Sequence, residues 1–269
     1  MKPDFGQTSE DYARHRAGFP DSLFERLASY GVGKKSQSVV DLGTGTGSLA
    51  RGFSSRGCKV IGIDPAEEML NEARELGMNV GIQVDYRVGK AENTQLPGAS
   101  FDVVTAGQCW HWFDRPKTAE EVKRILKPAG IIVIAHFDWI PLVGNMVRAT
   151  EELIEQFNPD WNMGGGLGMH PQWLKDLGES GFQNLETFTY DVDVPYTQEA
   201  WRGRIRASAG VGGSMSAGEV KKFDESLRGL LDKCFPELVL KVPHRVFAVI
   251  AHAPHALPNR QHSEREPTV

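Results

Sequence analysis

Gly43, Gly45 and Gly47 directly follow the apolar run Val39-Val40-Asp41-Leu42, with Thr44 and Thr46 between them. Glycines placed after a buried strand let the backbone come close to a ligand where a side chain would block it. Asp41 sets a carboxylate just before this turn. Asp64 closes the next apolar run, Cys58-Lys59-Val60-Ile61-Gly62-Ile63, where a carboxylate can accept hydrogen bonds from two ribose hydroxyls. The dinucleotide pattern G-x-G-x-x-G is not met, because its third glycine would fall at Ser48. Two further segments bear polar groups: Val88 to Pro97, with Lys90, Ala91 and Glu92, and Gly107-Gln108-Cys109-Trp110-His111-Trp112-Phe113-Asp114. In the latter, His111 either accepts a proton from an acceptor O–H or N–H or packs against the following helix. Gln108 stands at a strand end, poised to hydrogen-bond a ligand. Cys109 reads as a small core residue.

The elements that must position these groups alternate strand and helix, as in a parallel α/β sheet. Strands are expected at Ser38–Leu42, Cys58–Ile63, Val84–Val88, Phe101–Ala106 and Ile131–His136. The helix after the second strand should take Asp64 as N-cap and Pro65 at its first position, with Met69, Leu70, Ala73 and Leu76 on its apolar face. Another helix runs from about Pro116 to Leu126. In the second half, helices are expected over Leu142–Phe157, Pro171–Glu179, Gln198–Ser208 and Ala217–Cys234, and strands over Leu185–Val194 and Arg245–Ala251. The stretch from Pro254 to Val269 is polar and reads as a disordered tail.

The chain has 269 residues with 30 Lys+Arg against 35 Asp+Glu, a net charge of −5. No block of clustered Lys/Arg offers a phosphate footprint, which argues against a nucleic-acid partner. The 3 cysteines lack a Cys-x-x-Cys pair, so reduced thiols in the cytoplasm are expected rather than a disulfide framework or zinc site. His, Asp and Glu show no metal-ligand spacing. The polar start has no signal-peptide core, and apolar runs such as Ile131 to Ala135 are far short of a membrane span.

With Arg124-Ile125-Leu126-Lys127-Pro128-Ala129-Gly130, these segments in this order resemble the class I S-adenosylmethionine-dependent methyltransferases. The likeness is to the small-molecule group that includes the ubiquinone and trans-aconitate enzymes, and it is strong over residues 36–137. It implies a doubly wound, mostly parallel, seven-stranded Rossmann-like sheet with an antiparallel last strand and a helical lid. Residues 1–35 would form a helical cap and 36–253 the methyltransferase domain, with lid insertions at about 138–182 and 195–238. Gly43, Thr44, Gly45 and Gly47 would line the methionine part of S-adenosylmethionine, with Asp41 toward its amino group. Asp64 and Pro65 would hold the ribose, Met69 would cover the adenine, and Ala91 and Glu92 would lie at its edge. Lys90 departs from the pattern, since many relatives carry Asp there.

Lying beyond a strand end, this segment should border both cofactor and acceptor, so Gln108 can hydrogen-bond either; the resemblance places His111 in the same stretch, where general base is its functional reading. Tyr12 and Arg16 would close the site from the N-terminal segment. Trp110, His111, Trp112, Trp139, Trp201 and Arg206 are the candidate walls for a small, partly apolar or aromatic acceptor, the tryptophans having core packing as their other reading. Two rival functions remain: an NAD(P)-dependent oxidoreductase, and a non-catalytic S-adenosylmethionine-binding protein.

Overall fold

A computed structural model describes residues 17–254. The tail from 255 onward and the candidates Tyr12 and Arg16 lie outside the described residues. Seven strands form one sheet in the order β3-β2-β1-β4-β5-β7-β6. They are β1 Ser38–Leu42, β2 Lys59–Asp64, β3 Asp85–Val88, β4 Phe101–Gly107, β5 Leu126–Trp139, β6 Gln183–Tyr196 and β7 Leu240–His252. Strands β1 to β5 pair in parallel, while β7 runs antiparallel to both β5 and β6. The order reverses between β1 and β4. In an open α/β sheet the carboxyl ends of the strands flanking such a switch point leave a crevice for ligands.

The helices are α1 Asp21–Ser29, α2 Ser48–Ser54, α3 Glu67–Asn79, α4 Arg115–Ile125, α5 Met146–Phe157, α6 Gln172–Glu179, α7 Gln198–Arg206 and α8 Ala217–Cys234. Two apolar clusters pack on the sheet. One holds Val40, Leu42, Val104, Ile132 and Ile134 with α4 and α6; the other holds Val39, Val103, Val133 and Ala135 with α1 and α2. Alternate residues of the same strands thus point to opposite faces, and both faces are covered, which is why these strands are apolar throughout. A third cluster lies outside the sheet's centre. There α5, α7 and α8 bury Val147, Ile154, Trp201, Ile205, Phe223 and Leu227 together.

Several boundaries differ from the sequence expectation for local reasons. The helix expected from Asp64 begins at Glu67, because Ala66 is extended and serves as N-cap; the Asp64 carboxylate stays in the strand-end turn and accepts the Ala66 N–H at 2.9 Å. The helix expected from Leu142 begins at Met146, where Asn145 accepts the Arg148 N–H and donates to Ile140 O. Strand β5 starts early, at Leu126. The Lys127-Pro128-Ala129-Gly130 turn bulges out of its pairing with β4, and Ala129 takes φ +60°. Strands β6 and β7 are each longer than their alternation suggested, because they pair with one another over most of their length.

Candidate active site

The glycine turn is shaped from below by buried polar groups. Asp41 is 2% exposed, and its two oxygens accept from the hydroxyls of Thr105 and Thr44, each at 2.6 Å. Burial pushes its carboxyl up to about 6, against the lowering effect of the two hydroxyls. Gly43, Gly45 and Gly47 all have positive φ, between +53° and +77°. The reason for glycine differs among them. A Cβ on Gly43 would lie 2.9 Å from Cys109 Sγ, and one on Gly47 only 2.1 Å from the Tyr86 hydroxyl, whereas one on Gly45 would meet nothing nearer than Met69 Cε at 3.5 Å. Packing fixes the outer two, whereas at Gly45 a Cβ would make only ordinary contact with Met69, so there the left-handed backbone is what calls for glycine.

Gly47→Ala combines a left-handed backbone with a clash against a rigid ring. We expect a loss of about 2–4 kcal/mol in urea denaturation. Tyr86→Phe in the same chain removes the clashing oxygen and should restore part of that loss.

Across the turn stands Asp64. Its Oδ2 accepts the Gly45 N–H at 2.9 Å and its Oδ1 the Ala66 N–H at 2.9 Å, so each oxygen keeps accepting capacity for a ligand. Partial burial raises its carboxyl above the ordinary range. Asp41, Asp64, the glycine turn, Pro65 and Met69 line a cavity of about 510 Å³ at the carboxyl ends of β1, β2 and β4. Ala17, Gly18 and Phe19 line it from the N-terminal side, and the Phe19 N–H is tied to Ser48 Oγ at 3.1 Å.

A second cavity, of about 240 Å³, opens beyond the ends of β4 and β5. Gln108 and Trp112 line both. Gln108 takes φ +59°, and its side-chain Nε2 donates to Phe137 O at 2.6 Å. His111 lines the second cavity beside Trp112, with ring centroids 4.7 Å apart. The far wall is Trp139, whose indole N–H donates to Glu151 Oε1 while Oε2 accepts the Gly165 N–H. Glu151 thereby fastens the glycine-rich loop 164–168 to the cavity wall. Arg204, 6% exposed, lays its guanidinium over the Trp139 ring at 4.6 Å, with Nη2 3.7 Å from Asp138 Oδ1. His170 stacks on Trp173 at 4.2 Å, and burial holds its imidazole below the usual range, so it is neutral at pH 7.

Asp41, the glycine turn, Asp64, Pro65, Met69 and Gln108 gather in the first cavity, and Gln108, His111, Trp112 and Trp139 in the second. Five expected residues are elsewhere. Ala91 is buried in the core, and Glu92 turns its carboxylate to the Asp114 N–H; neither lines the first cavity. Trp110 is fully buried with its indole N–H on Asp176. Trp201 is fully buried behind Trp139 and donates to Thr150. Arg206 is engaged with Asp224 and Glu199 away from the cavity, and its neighbour two positions earlier, Arg204, faces the cavity instead. Cys109 is core, its thiol 3.1 Å from Leu42 O. Sequence reasoning missed His136, Asp138, Glu151 and His170.

A methyltransferase-domain model matches residues 40–134. An uncharacterized methyltransferase of Schizosaccharomyces pombe is 30% identical over 233 residues, covering 76% of this chain and 87% of the relative. Another from Mycobacterium bovis is 34% identical over 131 residues, 48% of this chain; the chain spans about half the length of that relative and of one from Dictyostelium discoideum. Among solved structures, the YcgJ protein of Bacillus subtilis aligns with TM-score 0.57 at 18% identity over 88% of this chain and 100% of that one. Phosphoethanolamine N-methyltransferase 2 of Haemonchus contortus, solved with phosphomonomethylethanolamine and S-adenosylhomocysteine, aligns with TM-score 0.55 at 21% identity over 93% of this chain and 57% of that one. These two likenesses speak for the fold. The identity and coverage of the S. pombe relative settle the class: the chain belongs to the methyltransferase family.

Proposed function

We propose that this protein transfers a methyl group from S-adenosylmethionine to a small acceptor held in the second cavity. One observation carries the reading: two cavities of unlike lining meet at Gln108 and Trp112, one beside the glycine turn and Asp64, the other walled by aromatic and ionisable side chains. The first suits the cofactor, since 510 Å³ falls in the range of small-ligand sites, Asp64 has accepting capacity for a ribose diol, and Gly45 lines the cavity without a side chain. S-adenosylmethionine supplies an electrophilic methyl on a sulfonium sulfur.

The chain's own groups have three tasks. Asp64 and the glycine turn bind and orient the cofactor. Trp112, Trp139 and the Glu151-fastened loop exclude water and hold the acceptor, because positioning alone contributes about 7–11 kcal/mol in oriented reactions. His111 takes the proton that the acceptor releases. If so, His111→Gln lowers turnover about a hundredfold or more and removes the acid limb of the pH–rate profile. Unchanged turnover from pH 6 to 9 would remove His111 from the reaction.

The cofactor assignment is tested by thermal titration with S-adenosylmethionine, S-adenosylhomocysteine, NAD(H) and NADP(H). At about 100 times the dissociation constant a ligand adds about 2.7 kcal/mol, which raises the melting temperature by about 5 °C or more. A rise with the adenosyl ligands alone supports the reading. A rise with a nicotinamide cofactor alone would replace it with an oxidoreductase.

A further inference from the structure

Buried polar atoms in folded proteins nearly always have hydrogen-bond partners, and leaving one without costs about 1–3 kcal/mol. Three residues that line the second cavity break this rule. Gln108 Oε1, His170 Nε2 and Ser208 Oγ are buried and have no hydrogen-bond partner within the described protein. Glu151 and Trp139 in the same wall are served: Glu151 accepts from Trp139 and Gly165, and Trp139 donates to Glu151. These three atoms belong to the wall where an acceptor would sit.

Gln108 is the most informative of the three. Its side-chain amide could in principle be turned either way, but Phe137 O, 2.6 Å away, can only accept. Nε2 must therefore face Phe137, and Oε1 is the end left over. A carbonyl oxygen is satisfied only by a donor. Gln108 also lines both cavities, so its amide lies where the methyl group would cross. Its backbone is held at φ +59°, with its N–H on Ala135 O at 2.8 Å, which fixes the root of the side chain.

We infer that the methyl-accepting atom is an oxygen or nitrogen bearing a hydrogen, and that Gln108 Oε1 accepts that hydrogen to aim the lone pair across the junction. The inference rests on the methyltransferase reading above and narrows its substrate class to acceptors that present an O–H or N–H. In the step, a C–O or C–N bond forms as the C–S bond breaks. The C–S electron pair stays on sulfur, giving a neutral thioether, and the hydrogen that Gln108 Oε1 holds before the transfer is released afterwards, as a proton, to the imidazole of His111. Gln108 acts as a positioning group for the nucleophile, and Ser208 and His170 offer the same acceptor a second polar anchorage. The aromatic walls, Trp112, Trp139 and Trp161, favour a planar ring between them.

The test uses the whole protein saturated with S-adenosylhomocysteine, titrated with phenol and aniline and with their donor-free counterparts, anisole and N,N-dimethylaniline. We expect phenol and aniline to bind about tenfold more tightly than the methylated pair. Gln108→Leu, checked for folding by its denaturation curve, should abolish that preference, and Gln108→Glu, which still presents an accepting oxygen, should retain it. Phenol binding no better than anisole, no fragment binding at all, or a preference that survives Gln108→Leu would overturn the inference. Failure of S-adenosylhomocysteine itself to bind would instead strike the methyltransferase reading, so the two failures are distinguishable.

Discussion

Asp64→Ala is expected to weaken S-adenosylhomocysteine binding about a hundredfold or more. The side chain sits at the end of β2, in the wall of the 510 Å³ cavity, and each of its oxygens already accepts one main-chain N–H. A ribose diol would add two hydrogen bonds to a charged acceptor, each contributing about 1.5–3 kcal/mol, and every 1.4 kcal/mol is a factor of ten in affinity. Asp64→Asn should fall between the two proteins. One of its two terminal atoms is a donor, which must then oppose either the Gly45 or the Ala66 N–H. Calorimetric titration gives the affinities. Denaturation alongside should show a stability loss of about 1–3 kcal/mol for the alanine variant, because the Gly45 and Ala66 amides lose their partner. An alanine variant that binds within threefold of the parent would remove Asp64 from the cofactor site.

The second large effect concerns Asp41 and runs through pH. Its folded carboxyl titrates at about 6 against an ordinary value of 3.8, so between about pH 4 and 6 the folded chain holds a proton that the unfolded chain has lost. Stability from this group therefore falls as pH rises through that window, by about 3 kcal/mol in all, and the deficit is complete above pH 6. Glu121 has the opposite sign: Arg124 and Thr94 hold it down to about 2, so its contribution is lost only on stronger acidification. Asp41→Asn is neutral at every pH and keeps the shape, and the hydroxyls of Thr44 and Thr105 can turn to suit its amide. We expect it to match the parent near pH 4 and to exceed it by about 1–3 kcal/mol at pH 7. Urea midpoints at pH 4, 5, 6 and 7 check this. Parallel curves for the two proteins would show that burial does not hold the Asp41 proton.

The core of the sheet was readable from the chain because β1, β2 and β4 are short, mostly apolar and punctuated by glycine and proline, as at Gly57 and Lys127-Pro128-Ala129-Gly130. Asp64 and the glycine turn were readable for the same reason: both sit at strand ends, where spacing alone places them. The acceptor wall was not. Trp110 and Trp112 stand two residues apart in one short 3₁₀ turn, yet one is fully buried and the other is 38% exposed between the two cavities. Arg204 and Arg206 present opposite sides of α7 for the same helical reason. Composition cannot separate such pairs; the docking of α5, α7 and α8 beyond β5 decides which side faces inward. His136 was read as the end of a buried strand and position 138 as the start of a lid insertion, and only the longer course of β5 brings His136 and Asp138 to the cavity together.

Nuclear Overhauser contacts from the labelled methyl of [methyl-13C]S-adenosylmethionine bound to the intact protein test the central claim most directly. The account predicts contacts to the Trp112 indole and the Gln108 side chain, the two groups shared by both cavities. A bound methyl group whose contacts lie with Pro116, Lys117 and Glu120 on the outer face of α4, or no binding at all, would contradict it.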